Sequence, residues 1–217
     1  MEPLSTLIRT GLVALDLPAE PYSVERWLRL TRLLERWNRQ INLSGHRSLE
    51  SIAQRLLLEA AAFCRVLPEA EHIADVGSGA GVPGLPIALC RPATRVLLIE
   101  ARQRRHYFQR AAIRELGLDN VEPLLGRAET LAPQLCDGAV AQALKAPDEA
   151  VELLRPWVRP GGWIAIATTP TTAPPAASEG LKLLARRPYA APGGGPERQA
   201  WIAHLAAPQA VPGEKPS

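Results

Sequence analysis

Several features that define common protein classes are scarce or absent in this sequence. The three cysteines, Cys64, Cys90 and Cys136, stand far apart, which excludes a disulfide framework and a cysteine-rich zinc site. The four histidines are equally scattered, so we expect no metal site. No apolar run approaches the length of about 18 residues that a membrane span needs. The N-terminus lacks a basic region followed by an apolar core, so we expect no signal peptide and a cytoplasmic location.

Lysine is also scarce, since 22 of the 25 basic residues are arginine and three are lysine. The forked guanidinium group suits phosphate binding, but a GC-rich genome explains the bias equally well. The net charge of +3 allows a nucleic-acid partner without requiring one. With 47% hydrophobic and 22% charged residues, the 217-residue chain has the composition of a globular protein. We expect one domain with an extension, and a monomer.

The pattern of apolar residues divides the chain into three zones. Residues 1–70 show helical spacing and are expected to form an N-terminal helical extension. Residues 71–206 are expected to form the main domain, in which short strands alternate with helices up to about residue 169 before proline and glycine dominate. Residues 207–217 are expected to be a disordered tail. The strands are predicted at 72–76, 95–99, 121–125, 138–144 and 162–168, with candidate late strands at 181–188 and 198–205. The helices between them are predicted at 84–90, 102–116 and 149–158. This alternation predicts an α/β fold with a parallel sheet covered on both faces.

One face of the predicted helix that follows residue 23 carries four arginines. Apolar and small residues such as Val24, Trp27 and Leu34 mark the core side of this helix by their spacing. The arginines that fall within a narrow arc on the other side are Arg29, Arg32, Arg36 and Arg39. These four residues, the arginine stripe, fit two interpretations. They form either a solvated helix face or a surface that follows the phosphates of a nucleic acid.

A glycine-rich loop lies directly between a predicted strand and a predicted helix. Its sequence is Asp75-Val-Gly77-Ser-Gly79-Ala-Gly81-Val-Pro-Gly84. Glycines let the backbone turn tightly and approach a ligand closely, and the helix N-terminus that follows offers free N–H groups. The pattern therefore indicates a ligand-binding loop.

An acidic residue at the end of the next strand indicates what the ligand contains. Glu100 stands 25 residues after Asp75, where a carboxylate can accept both hydroxyl groups of a ribose. The dinucleotide pattern should begin at Gly77, the first glycine after the strand, but Gly77-x-Gly79-x-x-Val82 does not match it. An acidic residue two positions before Gly-x-Gly-x-Gly instead resembles the loop of class I S-adenosylmethionine-dependent methyltransferases. That resemblance implies a Rossmann-like, mostly parallel seven-stranded sheet.

A longer set of motifs narrows the resemblance to the GidB/RsmG family. Five segments carry it: Trp37-Asn38-x-x-Ile41-Asn42-Leu43-Ser44, Asp75-Val-Gly-Ser-Gly-Ala-Gly-Val-Pro-Gly-Leu-Pro86, Arg104-Arg105-x-x-Phe108, Leu118-x-Asn120-Val121 and Arg127-Ala128-Glu129. Their order and spacing match over about two-thirds of the chain. The resemblance implies methyl transfer from S-adenosylmethionine to N7 of a guanosine in 16S ribosomal RNA, so the implied partner is this RNA or the small ribosomal subunit.

The resemblance also implies roles for individual residues. The loop residues and Glu100 would hold the methionine and ribose parts of the cofactor, and residues after the third strand would meet its adenine. The implied cofactor contacts are Asp75, Gly77, Gly79, Gly81, Val82, Glu100, Ala128, Glu129 and Gln142. The implied RNA contacts, with the arginine stripe, are Arg55, Arg104, Arg105 and Arg198. No catalytic residue is expected, because guanine N7 has a free lone pair and no proton to remove.

Some polar positions differ from the family pattern on the acceptor side. Where the family has Arg-His-x-x-Asp-Ser, this chain has Arg55-Leu-Leu-Leu-Glu59-Ala60, which keeps the arginine and lengthens the acid. After the fourth strand, Gln142 replaces an arginine. Two further hypotheses therefore stay open at this point. The chain could methylate a different RNA or a small molecule, or it could bind cofactor or RNA without turnover.

Overall fold

The N-terminal part of the protein is helical and includes one wide helical turn. The computed structural model describes residues 3–142, 146–175 and 180–206. The first helices are α1 (Pro3–Ala14), α2 (Pro21–Ile41), α3 (Leu49–Ile52) and α4 (Leu58–Val66). A π-helical turn, Ala53–Leu57, joins α3 to α4, so residues 49–66 run as one helix. Turns of this type occur frequently at functional sites, and this one was not expected from the sequence.

Seven strands form one sheet. They are β1 (His72–Val76), β2 (Arg95–Glu100), β3 (Val121–Leu125), β4 (Cys136–Gln142), β5 (Val158–Thr168), β6 (Leu181–Tyr189) and β7 (Arg198–Leu205). The strand order is β3-β2-β1-β4-β5-β7-β6. The first five strands run parallel, and β7 pairs antiparallel with both β5 and β6. The predicted mostly parallel, seven-stranded α/β sheet is confirmed.

Three helices connect the parallel strands, and three element boundaries differ from prediction, among them that of β5, which begins at Val158 and not at 162. The helices are α5 (Gly84–Cys90), α6 (Gln103–Leu116) and α7 (Pro147–Leu154). The helix predicted at 149–158 begins earlier because Pro147 suits a first helical turn, and it gives way to a 3₁₀ turn, Arg155–Trp157, before β5. The strand predicted at 138–144 begins earlier, at Cys136. Residues 143 and 144 and the predicted tail 207–217 lie outside the described residues.

The sheet is buried on both faces, because successive strand residues contribute to opposite core clusters. In β2, Val96 and Leu98 face one cluster, whereas Leu97 and Ile99 face the other. The first cluster also contains residues of α1, α2 and α4, so the N-terminal helices pack on the same layer as α5 and α6. Within the described residues, no helix combines the length and the apolar character that a membrane span requires.

The strand order places a crevice at one edge of the sheet. From β1 the chain proceeds outward to β2 and β3, then returns to β4 on the other side of β1. Ligands of open α/β sheets bind outside the carboxyl ends of the strands at such a reversal. Val76, Glu100 and Gln142, the last residues of β1, β2 and β4, all lie at this edge.

A glycine in β4 provides a test of the sheet packing. Gly138 lies opposite Trp163 of β5, and a Cβ atom on Gly138 would come within 2.3 Å of the buried indole ring. Because a rigid ring cannot yield cheaply, we expect Gly138→Ala to lower the free energy of unfolding by about 1–3 kcal/mol in urea denaturation. Gly45→Ala is the matched control, since a Cβ there would meet no atom within 4 Å. Equal stability of both variants would contradict the packing.

Candidate active site

The glycine-rich loop is anchored to the end of β2. The backbone N–H groups of Gly77 and Ser78 both donate to the carbonyl oxygen of Ile99, at 2.9 and 3.0 Å. Gly77, Gly79 and Gly81 all have positive φ angles, between 56° and 71°, which side chains other than glycine rarely adopt. The sequence therefore folds into this loop because glycine stands at each left-handed position.

Glu100 holds the loop and the start of the next helix together. Its Oε2 accepts a hydrogen bond from the Gly79 N–H at 2.8 Å, and its Oε1 accepts one from the Arg102 N–H at 2.7 Å. The residue is 5% exposed. A carboxylate offers about four lone-pair sites, so each oxygen keeps one for a further donor. Glu100 can therefore position the loop and still accept ribose hydroxyl groups.

A cleft of about 560 Å³ opens at this edge of the sheet. That volume lies within the range of cofactor sites, which is roughly 300–1,000 Å³. The predicted cofactor residues that line it are Gly77, Gly79, Val82, Glu100, Ala128, Glu129 and Gln142. The structure thus brings together residues that are more than sixty positions apart in the chain. The Glu100 carboxylate, the glycine-rich loop and apolar side chains such as Val82 suit a ligand that combines a methionine, a ribose and an adenine.

Two predicted cofactor residues, Asp75 and Gly81, do not line the cleft. The Asp75 carboxylate is buried and accepts a hydrogen bond from the Gly84 N–H at 2.8 Å. A Cβ atom on Gly81 would lie 2.6 Å from the Leu85 side chain. Neither residue lines the cleft, so any effect of Asp75 or Gly81 on a ligand passes through the conformation of the loop backbone.

Burial makes Asp75 an unusual acid. Loss of solvation raises the pKa of Asp75 to about 7, the Gly84 N–H opposes this shift, and the nearby Glu100 carboxylate adds to it. Ionisation of Asp75 in the folded protein is therefore unfavourable below neutral pH.

Two residues that support the site, Gln109 and Asn38, were not predicted as site residues, although Asn38 stands in one of the family motifs. Gln109 of α6 is fully buried and donates to Ser78 Oγ at 2.8 Å and to the Gly79 carbonyl at 2.9 Å. Asn38 of α2 bonds to the His46 carbonyl and the Ser44 N–H, at 2.6 and 2.9 Å, which shapes the part of the cleft wall at 43–46. A buried polar residue on an apolar helix face was the available signal in both cases.

The predicted arginines separate into two groups. Arg55, Arg105 and Arg198 line the cleft, and the structure adds Arg102 and Arg127, which were not among the predicted RNA contacts. The arginine stripe and Arg104 are exposed and do not line it. Three stripe residues pair with carboxylates: Arg29 with Glu25, Arg36 with Glu115 and Arg39 with Glu35. The described residues contain no group of three or more potential metal ligands.

Comparison with known proteins decides between the families that share this fold. A family model described as rRNA small subunit methyltransferase G, GidB, matches residues 23–171. The chain belongs to the GidB family. A ribosomal RNA small subunit methyltransferase G from Azoarcus sp. (strain BH72) is 33% identical over 91% of this chain and 95% of its own length. One from Chromohalobacter salexigens is 37% identical over 72% of this chain and 75% of its own.

Solved structures agree on the fold. The mitomycin 7-O-methyltransferase MmcR has a TM-score of 0.56 and 18% identity, and the match covers 94% of this chain and 76% of that one. As a GidB-family methyltransferase, the protein uses S-adenosylmethionine as its cofactor. The predicted family, fold class, enzyme class and cofactor are confirmed, whereas the individual contacts to cofactor and RNA remain predictions.

The Glu100 carboxylate gives a direct test of cofactor binding. Glu100→Ala removes the predicted acceptor of the ribose hydroxyl groups and the partner of the Gly79 N–H. Since hydrogen bonds to a charged group contribute about 1.5–3 kcal/mol, we expect the Kd for S-adenosylmethionine to rise about tenfold or more. Isothermal titration calorimetry measures this Kd. The matched control is Glu122→Ala, a β3 carboxylate outside the cleft, and an unchanged Kd in Glu100→Ala would remove the ribose assignment.

The raised pKa of Asp75 predicts a pH dependence of stability. The unfolded state loses this proton near its ordinary pKa of 3.8, whereas the folded state keeps it up to about pH 7. The folded state thus binds more protons in this window, and this group lowers the free energy of unfolding as the pH rises. Asp75→Asn should remove that loss, so the variant should gain on the wild type by up to about 3 kcal/mol between pH 5 and 7.5.

Urea denaturation at about pH 5 and about pH 7.5 measures this difference. Asp137→Asn is the control with the opposite sign: although burial opposes it, bonds from Arg159 and two backbone N–H groups lower the pKa of Asp137. The Asp137 carboxyl titrates below this pH window. The difference in free energy of unfolding between Asp137→Asn and the wild type should therefore stay constant. Parallel profiles for wild type and Asp75→Asn would show that Asp75 titrates normally.

Proposed function

We propose that this protein transfers the methyl group of S-adenosylmethionine to N7 of a guanosine in 16S ribosomal RNA. The observation that carries the proposal is the arginine rim, the five arginines Arg55, Arg102, Arg105, Arg127 and Arg198 around the cleft of a GidB-family methyltransferase. Guanidinium groups bind phosphate bidentately, so a polyanionic acceptor is attracted to the place where the cofactor binds. We further propose that it acts as a monomer in the cytoplasm, on this RNA or the small subunit.

The proposed reaction needs alignment more than proton transfer. S-adenosylmethionine supplies an electrophilic methyl group when it is bound. Guanine N7 carries an in-plane lone pair and no proton, so no general base is required. Glu100 and the loop would fix the cofactor, and the contribution of the protein is to hold the two reactants in line. Positive charge develops on the base, so carboxylates and carbonyl groups at the site favour the transfer.

The acceptor base must leave its stack to reach the cleft. In A-form RNA the N7 atom lies in a deep, narrow groove that side chains cannot enter. The target guanosine is therefore unpaired, distorted or flipped out, and phosphates on either side of it need positive partners. The arginine rim supplies these beside the cleft through its members other than Arg198, which pairs with Glu59. The arginine stripe does not line the cleft, and three of its four residues pair with carboxylates. We therefore assign the main RNA contacts to the rim.

The first experiment is a methyl transfer assay on small ribosomal subunits that lack N7-methylguanosine. Methyl-labelled S-adenosylmethionine is added, the RNA is digested, and the labelled nucleoside is identified. We expect label in N7-methylguanosine with the wild-type protein and at least about tenfold less with Glu100→Ala at limiting cofactor. Label in another nucleoside would indicate a different RNA acceptor, and cofactor binding without label would indicate a small-molecule acceptor or a binding module.

A further inference from the structure

A second cavity adjoins the cofactor cleft. It has a volume of about 270 Å³ and lies over the carboxyl ends of β4 and β5. Three residues, Glu59, Gln142 and Arg198, line both the cleft and this cavity. Part of its wall is apolar, with Ala141 and Ile166 from the sheet. A planar group in the second cavity could therefore extend one edge into the cleft, where the methyl group is expected.

The shared wall contains a buried ion pair. Glu59 of α4 and Arg198 of β7 are 3.1 Å apart between Oε1 and Nε, and their side chains are 4% and 33% exposed. Buried ion pairs contribute little net stability relative to apolar residues of similar size. Both residues line both cavities, and within the described residues the Nη groups of Arg198 and the second oxygen of Glu59 make no other hydrogen bond. These atoms remain for a ligand.

The ion pair presents a donor next to an acceptor, and guanine has the complementary edge. Arginine can only donate hydrogen bonds and an ionised carboxylate can only accept them. Around guanine, the acceptor N7 is followed by the acceptor O6 and then by the donors N1–H and N2–H. Adenine has a donor where guanine has O6, and an acceptor at N1. A base whose O6 meets Arg198 and whose N1–H meets Glu59 turns its N7 toward the neighbouring space.

We propose that the Glu59–Arg198 ion pair selects the acceptor base, with Arg198 donating to O6 of guanine and Glu59 accepting from N1–H and N2–H. This inference rests on the proposed function and names the residues that determine its specificity. The base would occupy the second cavity with N7 facing the cofactor cleft. No covalent bond forms between the base and the protein. In this position Glu59 would also lie close enough to the base to stabilise the positive charge that the purine gains.

Gln142 supports the same placement of the base. Its Oε1 is buried at the shared wall and has no hydrogen-bond partner among the described residues. A buried acceptor without a partner is unfavourable, which is expected where a ligand completes the site. The side chain carries both a donor and an acceptor, so it can adapt to the ligand on either side of the wall.

Hydrogen bonds of Gln54 link the two segments that carry the ion pair. Gln54, in the π-helical turn, donates through Nε2 to the carbonyl oxygens of Pro192 and Gly194, in the loop before β7. Arg198 begins β7 a few residues later, and Glu59 follows the wide turn in α4. The turn therefore fixes both halves of the pair relative to each other, which a hydrogen-bonding edge requires.

Steady-state kinetics on small subunits lacking N7-methylguanosine tests this assignment. We expect Arg198→Ala and Glu59→Gln to lower kcat/KM for subunits by about 10- to 100-fold, because each loses a hydrogen bond that involves a charged group. The Kd for S-adenosylmethionine should stay within about twofold of wild type, since the assigned contacts are to the base. Glu59→Asp keeps the carboxylate and should retain more activity than Glu59→Gln, which keeps the length. The double variant should lose less than the product of the two single losses.

Arg187→Ala is the matched control. Arg187 of β6 also links the sheet to α4, through the Val66 carbonyl at 3.1 Å, but it lines neither cavity. It should keep the wild-type kcat/KM. Wild-type kinetics in Arg198→Ala and Glu59→Gln would overturn the inference, and so would a parallel loss of stability and cofactor affinity, which would indicate a structural tie. If the wild-type protein places no label in N7-methylguanosine, the proposed function falls together with this inference.

Discussion

The hydrogen bonds that one buried carboxylate makes to backbone N–H groups control the geometry of the site. Glu100 ends β2, receives the Gly79 N–H from the loop after β1, and receives the Arg102 N–H just before α6. Three separate segments are therefore positioned relative to the same two oxygen atoms. Because Glu100 also lines the cleft, the group that sets the loop is in a position to contact a ligand. A ligand that bonds to this carboxylate binds a preformed site, so its binding orders little of the protein and loses little conformational entropy.

The parts of the fold that depend on local pattern could be predicted from the sequence. Apolar runs at β1 and β2, the glycines of the loop and the proline at the start of α5 each constrain their own backbone, so their positions were correct to within about a residue. The boundaries of β4, α7 and β5 were not, because they depend on pairing between distant segments. Cys136 belongs to β4 because it pairs with Val158, and nothing within either segment signals that contact.

The site shows the same division between local and distant information. The loop and Glu100 were identifiable because their spacing is fixed by one βαβ unit. The arginine rim was only partly identifiable from the sequence. Arg102 and Arg127 come to line the same cleft as Arg55 only when the sheet has formed. The arginine stripe attracted attention for its regular helical spacing, yet regular spacing describes only where residues lie on one helix. It carries no information on whether that face borders the cleft.

The N-terminal helices are part of the cleft and do more than cover the sheet. Arg55 and Glu59 come from the helical segment that contains the wide turn, and residues 43–46 close the cleft on the same side. An α-helix advances about 100° per residue, so a π-helical turn rotates everything after it relative to a regular helix. In this protein the π-helical turn, Ala53–Leu57, comes directly before the segment that carries Glu59. Gln54 of this turn donates a hydrogen bond to the loop that precedes Arg198. A local departure from regular helix geometry thus places a buried acid and its arginine partner at the junction of two cavities.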